Sequence, residues 1–282
     1  MKVLYSPYSL TPLKKANRLS SMDKKGGVYL KAQLGDKVLF ADYFPHLPLG
    51  DRGCDQFLEE FKFQEDEYDR KVFDLLLRDH QFQKITPKKF FNHQLWSGFE
   101  EISANIVKYK LQHSQDRNFL TLLERGIRVR LDANALFDRK GFFEFFDSIP
   151  EKYHSLINYI EDPLISKDWS DLILPTARDF IKGEPFDYQI YKPNKEFKPA
   201  SDCICIYSSY LGGDLGRWHA HCELIENGNF AYIHGIVSEG YFEEEISFHK
   251  GNYKDGFMAD MDAANKIYHE VNGMNWKVLC SM

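Results

Sequence analysis

Apolar and polar residues alternate through "GGVYLKAQLGDKVLFADYF" (residues 26–44), and the pattern is interrupted once, at Gly35-Asp36. Alternation gives a strand one apolar face, and a Gly-Asp pair suits a tight turn, so the stretch predicts a β-hairpin. "HLPLGDRG" breaks the pattern. In "FKFQEDEYDRKVFDLLLRDH" the period changes: Phe61, Tyr68, Val72, Leu75 and Leu76 recur at helical spacing. Residues 1–95 therefore read as an α+β unit.

Beyond that point short strand-like runs recur as "IVKYKL", "IRVRLDAN", "INYIEDP", "LILPTARDF", "YQIYKP", "CICIYSS" and "AYIHGIV". Amphipathic stretches such as "NFLTLLERG", "KGFFEFFDSIPEKYHSL" and "LGRWHAHCELIENG" separate several of them, and "MADMDAANKIYHEV" follows the last. Strands alternating with helices predict a parallel sheet, and this many predict a closed (β/α) barrel with its active site at the C-terminal strand ends. Only "IKGEPFD" and "NKEFKPASD" join the strands around "YQIYKP". A crossover takes about a dozen residues or more, so some crossover helices are expected to be missing. A doubly wound open sheet is the alternative.

Composition narrows the class. Of 282 residues, 43% are hydrophobic and 15% aromatic, enough for a core and against disorder. A net charge of −6 argues against a nucleic-acid partner, and "LKKANR" is too short to reverse that. No apolar run approaches the roughly 20 residues of a membrane span. The N-terminus lacks a secretory cleavage pattern. Five cysteines, an odd number, fit a reducing cytoplasm better than a disulfide framework.

The strand ends carry the candidate chemistry. Lys108 and Lys110 share one face of "VKYK"; Asp132 closes "RLD"; Glu161 closes "YIE"; Asp179 follows "AR"; Lys192 precedes Pro193. Each alone is a common turn or solvated residue. Together they place lysines and three carboxylates at one barrel mouth. Three carboxylates repel one another unless a cation neutralises them, and all-oxygen ligands suit Mg²⁺. Lysines beside a metal have their charged form disfavoured, as a general base requires. The chemistry suggested is proton removal next to a carboxylate.

The series "KYK", "RLDAN", "YIEDP", an Asp at the next strand end and "YKP" resembles the enolase superfamily. "LFADYFPHLPLGD", "SSYLGGDLG" and "HGIV" resemble its capping-hairpin, seventh-strand and eighth-strand segments, so the likeness spans nearly the whole chain. Within it, the subgroup with lysines on opposite sides of the substrate fits best, and the chain is most similar to the o-succinylbenzoate synthases of menaquinone biosynthesis. The resemblance implies a TIM-like barrel (residues 96–260), an α+β capping domain (1–95) completed by the C-terminal segment, and a C-terminal helix and tail (261–282). It implies Mg²⁺, or Mn²⁺ in its place, held by Asp132, Glu161 and Asp179. Lys110 would be the base and Lys192 would face it. Lys108 and Arg130 would lie beside Lys110 and the metal, with Asn134 as a supporting or minor ligand, and Ser208 and Ser209 would hold the substrate's tail. Residues 9–21 would form a lid. The family's acidic residue after the fifth-strand Asp is Phe180 here, which leaves Asp171 as a second candidate.

The substrate would be a small carboxylate and the chain a monomer or homodimer. The alternatives are an amino-acid or dipeptide epimerase, an N-acylamino-acid racemase, and an inactive barrel with a binding role. Cys203, Cys205, His219, His221 and Cys222 raise zinc as a rival, but CxC on an apolar strand reads as core packing. "GFFEFF" reads as a helix packed on the sheet. Arg128 and Arg130, on the polar row of "IRVRLD", are expected to face inward beneath the site.

Overall fold

The computed structural model describes residues 1–14, 21–64, 66–96, 101–181, 183–198, 203–237 and 240–281. The N-terminal sheet contains β1 (Lys2–Leu10), β2 (Lys25–Leu34) and β3 (Lys37–Tyr43), with α1 (Cys54–Glu60) and α2 (Glu67–Phe82) after them. The predicted hairpin is β2–β3, turning at Gly35 with φ 64°, a left-handed conformation glycine adopts without strain. Tyr68, Val72, Leu75 and Leu76 form the buried stripe of α2, which packs on this sheet.

The barrel strands are β4 (Phe91–Asn92), β5 (Gln94–Trp96), β6 (Ile106–Lys110), β7 (Arg128–Asp132), β8 (Ile157–Glu161), β9 (Thr176–Arg178), β10 (Tyr188–Tyr191), β11 (Ile204–Tyr207) and β12 (Ile233–His234). β5 to β11 form one parallel sheet in chain order. The sheet curls, β12 pairs with β4, and an isolated parallel bridge, Ser208–Gly235, joins the residues just past β11 and β12. The boundary drawn from sequence, between residues 95 and 96, falls within β5, which is hydrogen-bonded to β6 of the barrel sheet.

α3 (Leu120–Glu124), α4 (Arg139–Asp147) and α5 (Asp214–Asn227) lie outside the strands. Phe142, Phe145 and Phe146 of α4 bury against Val129, Leu131 and Ile160, so the phenylalanine run is core. Among the described residues no α-helix lies between β8 and β11, which extends the two missing crossovers to three. β13 (His249–Asn252) and β14 (Gly256–Ala259) form a hairpin, and after α6 (Met261–Asn272) the strand β15 (Lys277–Ser281) pairs with β1.

Asp42 joins the sheet to the barrel. Its buried carboxylate accepts from Tyr8 Oη at 2.7 Å and packs on Gly216 of α5, where a Cβ would sit 2.5 Å from Oδ2. Burial pushes its pKa up to about 7, against the bonds from Tyr8, Gly216 and Gly213 that favour the carboxylate. A carboxyl raised in the folded state contributes stability below its unfolded pKa and loses it as pH rises through the folded one. Stability is therefore expected to fall on the order of 3 kcal/mol between pH 5 and 8 relative to Asp42→Asn, as read by urea denaturation.

Candidate active site

Parallel pairing in register builds the site layer by layer. Lys108 pairs with Arg130 and Arg130 with Tyr159; two residues on, Lys110 pairs with Asp132 and Asp132 with Glu161. Side chains two apart share a face, so these form two inward layers. Tyr159, Ala177, Ile190 and Ile206 fill the interior on the other side. By the same count, Lys192 and Ser208 point inward above Ile190 and Ile206. A cavity of about 440 Å³ opens at this end, lined among others by Lys108, Lys110, Asp132, Asn134, Glu161, Asp179, Lys192, Ser208 and Ser209.

Lys108 reaches up from the deeper layer. Its Nζ donates to Glu161 Oε1 and Oε2 at 2.9 and 2.8 Å and lies 3.0 Å from Asp132 Oδ2. Lys110 Nζ is 3.8 Å from that same oxygen. Lys192 is bonded to Asp179, and Asn134 Nδ2 donates to Asp132 Oδ1. Burial pulls the pKa of Lys110 down, Lys108 and Lys192 adding to it against Asp132 and Glu161. Burial would do the same to Lys108 and Lys192, but the carboxylates of Asp132 and Glu161, and of Asp179, hold those two above the ordinary lysine value. One lysine of the three is thus biased toward the free amine.

The three carboxylates share the cavity without converging on one point. Among the described residues no group of three or more His, Cys, Asp or Glu is placed to hold a metal. The donor chemistry nevertheless fits a hard divalent ion. Burial and the Asp132 charge push Glu161 up to about 7 even though Lys108 bonds both its oxygens. Asp132 and Glu161 would hold such an ion in competition with Lys108, with Asp179 as the third carboxylate.

No family model matches the chain. A curated o-succinylbenzoate synthase of Bdellovibrio bacteriovorus is 29% identical over 262 residues, covering 78% of this chain and 79% of that protein. The crystal structure of o-succinylbenzoate synthase from Thermosynechococcus elongatus, complexed with Mg in the active site, superposes with TM-score 0.63 at 15% identity, covering 83% of this chain and 92% of that one. An enolase family member from Agrobacterium tumefaciens with homology to dipeptide epimerases superposes with TM-score 0.62 at 10% identity, covering 92% and 97%. The chain has the fold of the enolase superfamily.

The structure locates the other residues that the sequence singled out. Arg128 is exposed at the start of β7 and does not lie beneath the site. Arg130 is buried in the layer beneath Lys110 and Asp132, bonded to Asn158 Oδ1 at 3.0 Å and His93 Nδ1 at 2.9 Å. Asp171 pairs with Arg139 away from the cavity, leaving Asp179 as the fifth-strand carboxylate. Cys203, Cys205, His219, His221 and Cys222 form no metal cluster: Cys205 packs outward against α5, and His219 is bonded to Asp79. Ser209 Oγ is buried with no partner among the described residues. Of the segment expected to act as a lid, residues 15–20 lie outside the described residues; Lys14 lines the cavity.

Two features escaped the sequence reading. Asp162, whose Asp-Pro step by itself suits an ordinary loop opening, accepts from the backbone of Asp179 and Phe180, each at 3.0 Å, and so fixes the turn that aims Asp179. A clasp ties residues 46–52 to the barrel mouth: Asp51 accepts from Lys195 Nζ at 2.7 Å, from Tyr210 Oη and from His46 N at 2.8 Å. Tyr210 also lies under Lys192, its ring centroid 5.7 Å from Nζ. Lys195→Met leaves Asp51 with a weakened set of donors, and urea denaturation is expected to show a loss of about 1–3 kcal/mol.

Proposed function

We propose that this chain is a Mg²⁺-dependent dehydratase, converting 2-succinyl-6-hydroxy-2,4-cyclohexadiene-1-carboxylate to 2-succinylbenzoate and water. The observation that supports the reading is that Lys110, at the end of β6, and Lys192, just past β10 and four strands away in the seven-stranded sheet, line one carboxylate-lined cavity. The likeness to o-succinylbenzoate synthase supports this reaction.

Lys110, the lysine biased toward its free amine, takes the proton next to the substrate carboxylate. The same group, now protonated, gives that proton to the departing hydroxyl; water leaves and the ring becomes aromatic. Lys192 keeps its charge beside Asp179 and stabilises the electron-rich intermediate from the other face. A divalent ion at the carboxylates would supply further positive charge for the substrate carboxylate.

The second reading, epimerisation of a dipeptide, has a specific observation behind it: two opposed lysines can work on both faces of one carbon. Proton NMR in D₂O separates the two. Aromatic product signals from the cyclohexadiene support dehydration, whereas α-deuteration of both epimers of a dipeptide, with no aromatic product, supports epimerisation.

A further inference from the structure

His93 sits where the first barrel strand is interrupted, between β4 and β5. Its backbone is held from both sides: its N–H donates to His234 O at 2.8 Å, and its carbonyl accepts from Asn92 Nδ2 at 2.7 Å. The ring lines the cavity together with Lys108 and Lys110. Arg130 Nη1 lies 2.9 Å from His93 Nδ1. A guanidinium has only donors, so Nδ1 must be the acceptor and the ring proton must be on Nε2. Among the described residues Nε2 has no protein partner, and it is not sealed from solvent. Space for this edge is kept by Gly235, where a Cβ would lie 2.6 Å from His93 Cε1 and 2.9 Å from Nε2.

We propose that His93 is a substrate-binding residue whose Nε2–H, fixed in that tautomer by Arg130, donates to a carboxylate oxygen of the substrate. This rests on the reading of the cavity as a site for a carboxylate. A cation bonded to Nδ1 draws electron density from the ring and strengthens the opposite N–H as a donor, while the ring itself stays neutral. Burial, Arg130 and Lys108 all act against protonation of the ring. The site therefore gains an anion-seeking donor that does not repel Lys108 as another full cation would. The buried Arg130, which has no carboxylate partner among the described residues, acquires a role as the group that orients it.

The test is ¹⁵N–¹H NMR on protein labelled at histidine, in the presence of Mg²⁺. Without ligand, His93 is expected as the Nε2–H tautomer with shifts constant over about pH 5–8. Then 2-succinylbenzoate and L-Ala-L-Glu are titrated in separate arms, and whichever binds is expected to move the Nε2–H signal. His93→Leu is expected to weaken that ligand about 10- to 100-fold, and His93→Gln, whose amide N–H has similar reach, to recover much of the loss. An Nδ1–H tautomer, a bound ligand that leaves the signal in place, unchanged affinity in His93→Leu, or no response to either ligand overturns the proposal. A response to L-Ala-L-Glu in an enzyme that makes no aromatic product sinks the dehydratase reading and leaves His93 its role.

Discussion

Lys110→Met is expected to lower turnover by about 10²–10⁴-fold while the circular dichroism spectrum stays that of the native protein. The substitution removes the lysine that burial biases toward the free amine and leaves Lys108 and Lys192 in place. Lys110 Nζ lies 3.8 Å from Asp132 Oδ2, a longer approach than the 3.0 Å of Lys108 Nζ to the same oxygen. Steady-state rates and exchange of the substrate α-proton with solvent deuterium should fall together, because both need the same base. Wild-type turnover in this variant contradicts the assignment, and loss of turnover with retained exchange moves the role of Lys110 from base to acid.

Lys108→Met should have the larger effect on stability. Lys108 is the near neighbour of both Asp132 and Glu161, and all three side chains are buried. Removing one partner of a buried pair leaves the others uncompensated, at about 3–5 kcal/mol. The variant also removes the ammonium that competes with a divalent ion. Mg²⁺ in about 100-fold excess over its dissociation constant stabilises by about 2.7 kcal/mol. Thermal unfolding should therefore show a low Tm without Mg²⁺ and a larger Mg²⁺-dependent rise than in the wild type. An equal or smaller rise in the variant means that Asp132 and Glu161 do not hold the ion.

The strand ends were legible because each carries a charged residue where an apolar run stops, and parallel registry converts that position into a layer. Lys108, Lys110, Asp132, Glu161, Asp179 and Lys192 all meet one cavity for this reason. Outward faces were legible too: the CxC pair and the phenylalanine run alternate with, or stand opposite, the inward positions. Arg128 misled because a polar row continues to the bottom of the strand, where solvent returns. His93 was hidden by its place in "FNHQLW", a strand too short to declare itself and one that borders the capping unit. The Asp51–Lys195–Tyr210 clasp joins residues more than a hundred positions apart in sequence, and nothing local marks them as partners. Asp162 looked like turn chemistry, which it is; what sequence could not give is that the turn it organises carries Asp179.

The account turns on dehydration at this cavity, and the direct measurement is ultraviolet absorbance during incubation with 2-succinyl-6-hydroxy-2,4-cyclohexadiene-1-carboxylate. Wild-type protein with Mg²⁺ should convert the diene absorption to that of the aromatic product. Chelation of the metal and Lys110→Met should each abolish the change. A diene spectrum that stays constant with folded, Mg²⁺-loaded wild-type protein, or one that changes equally fast with Lys110→Met, contradicts it.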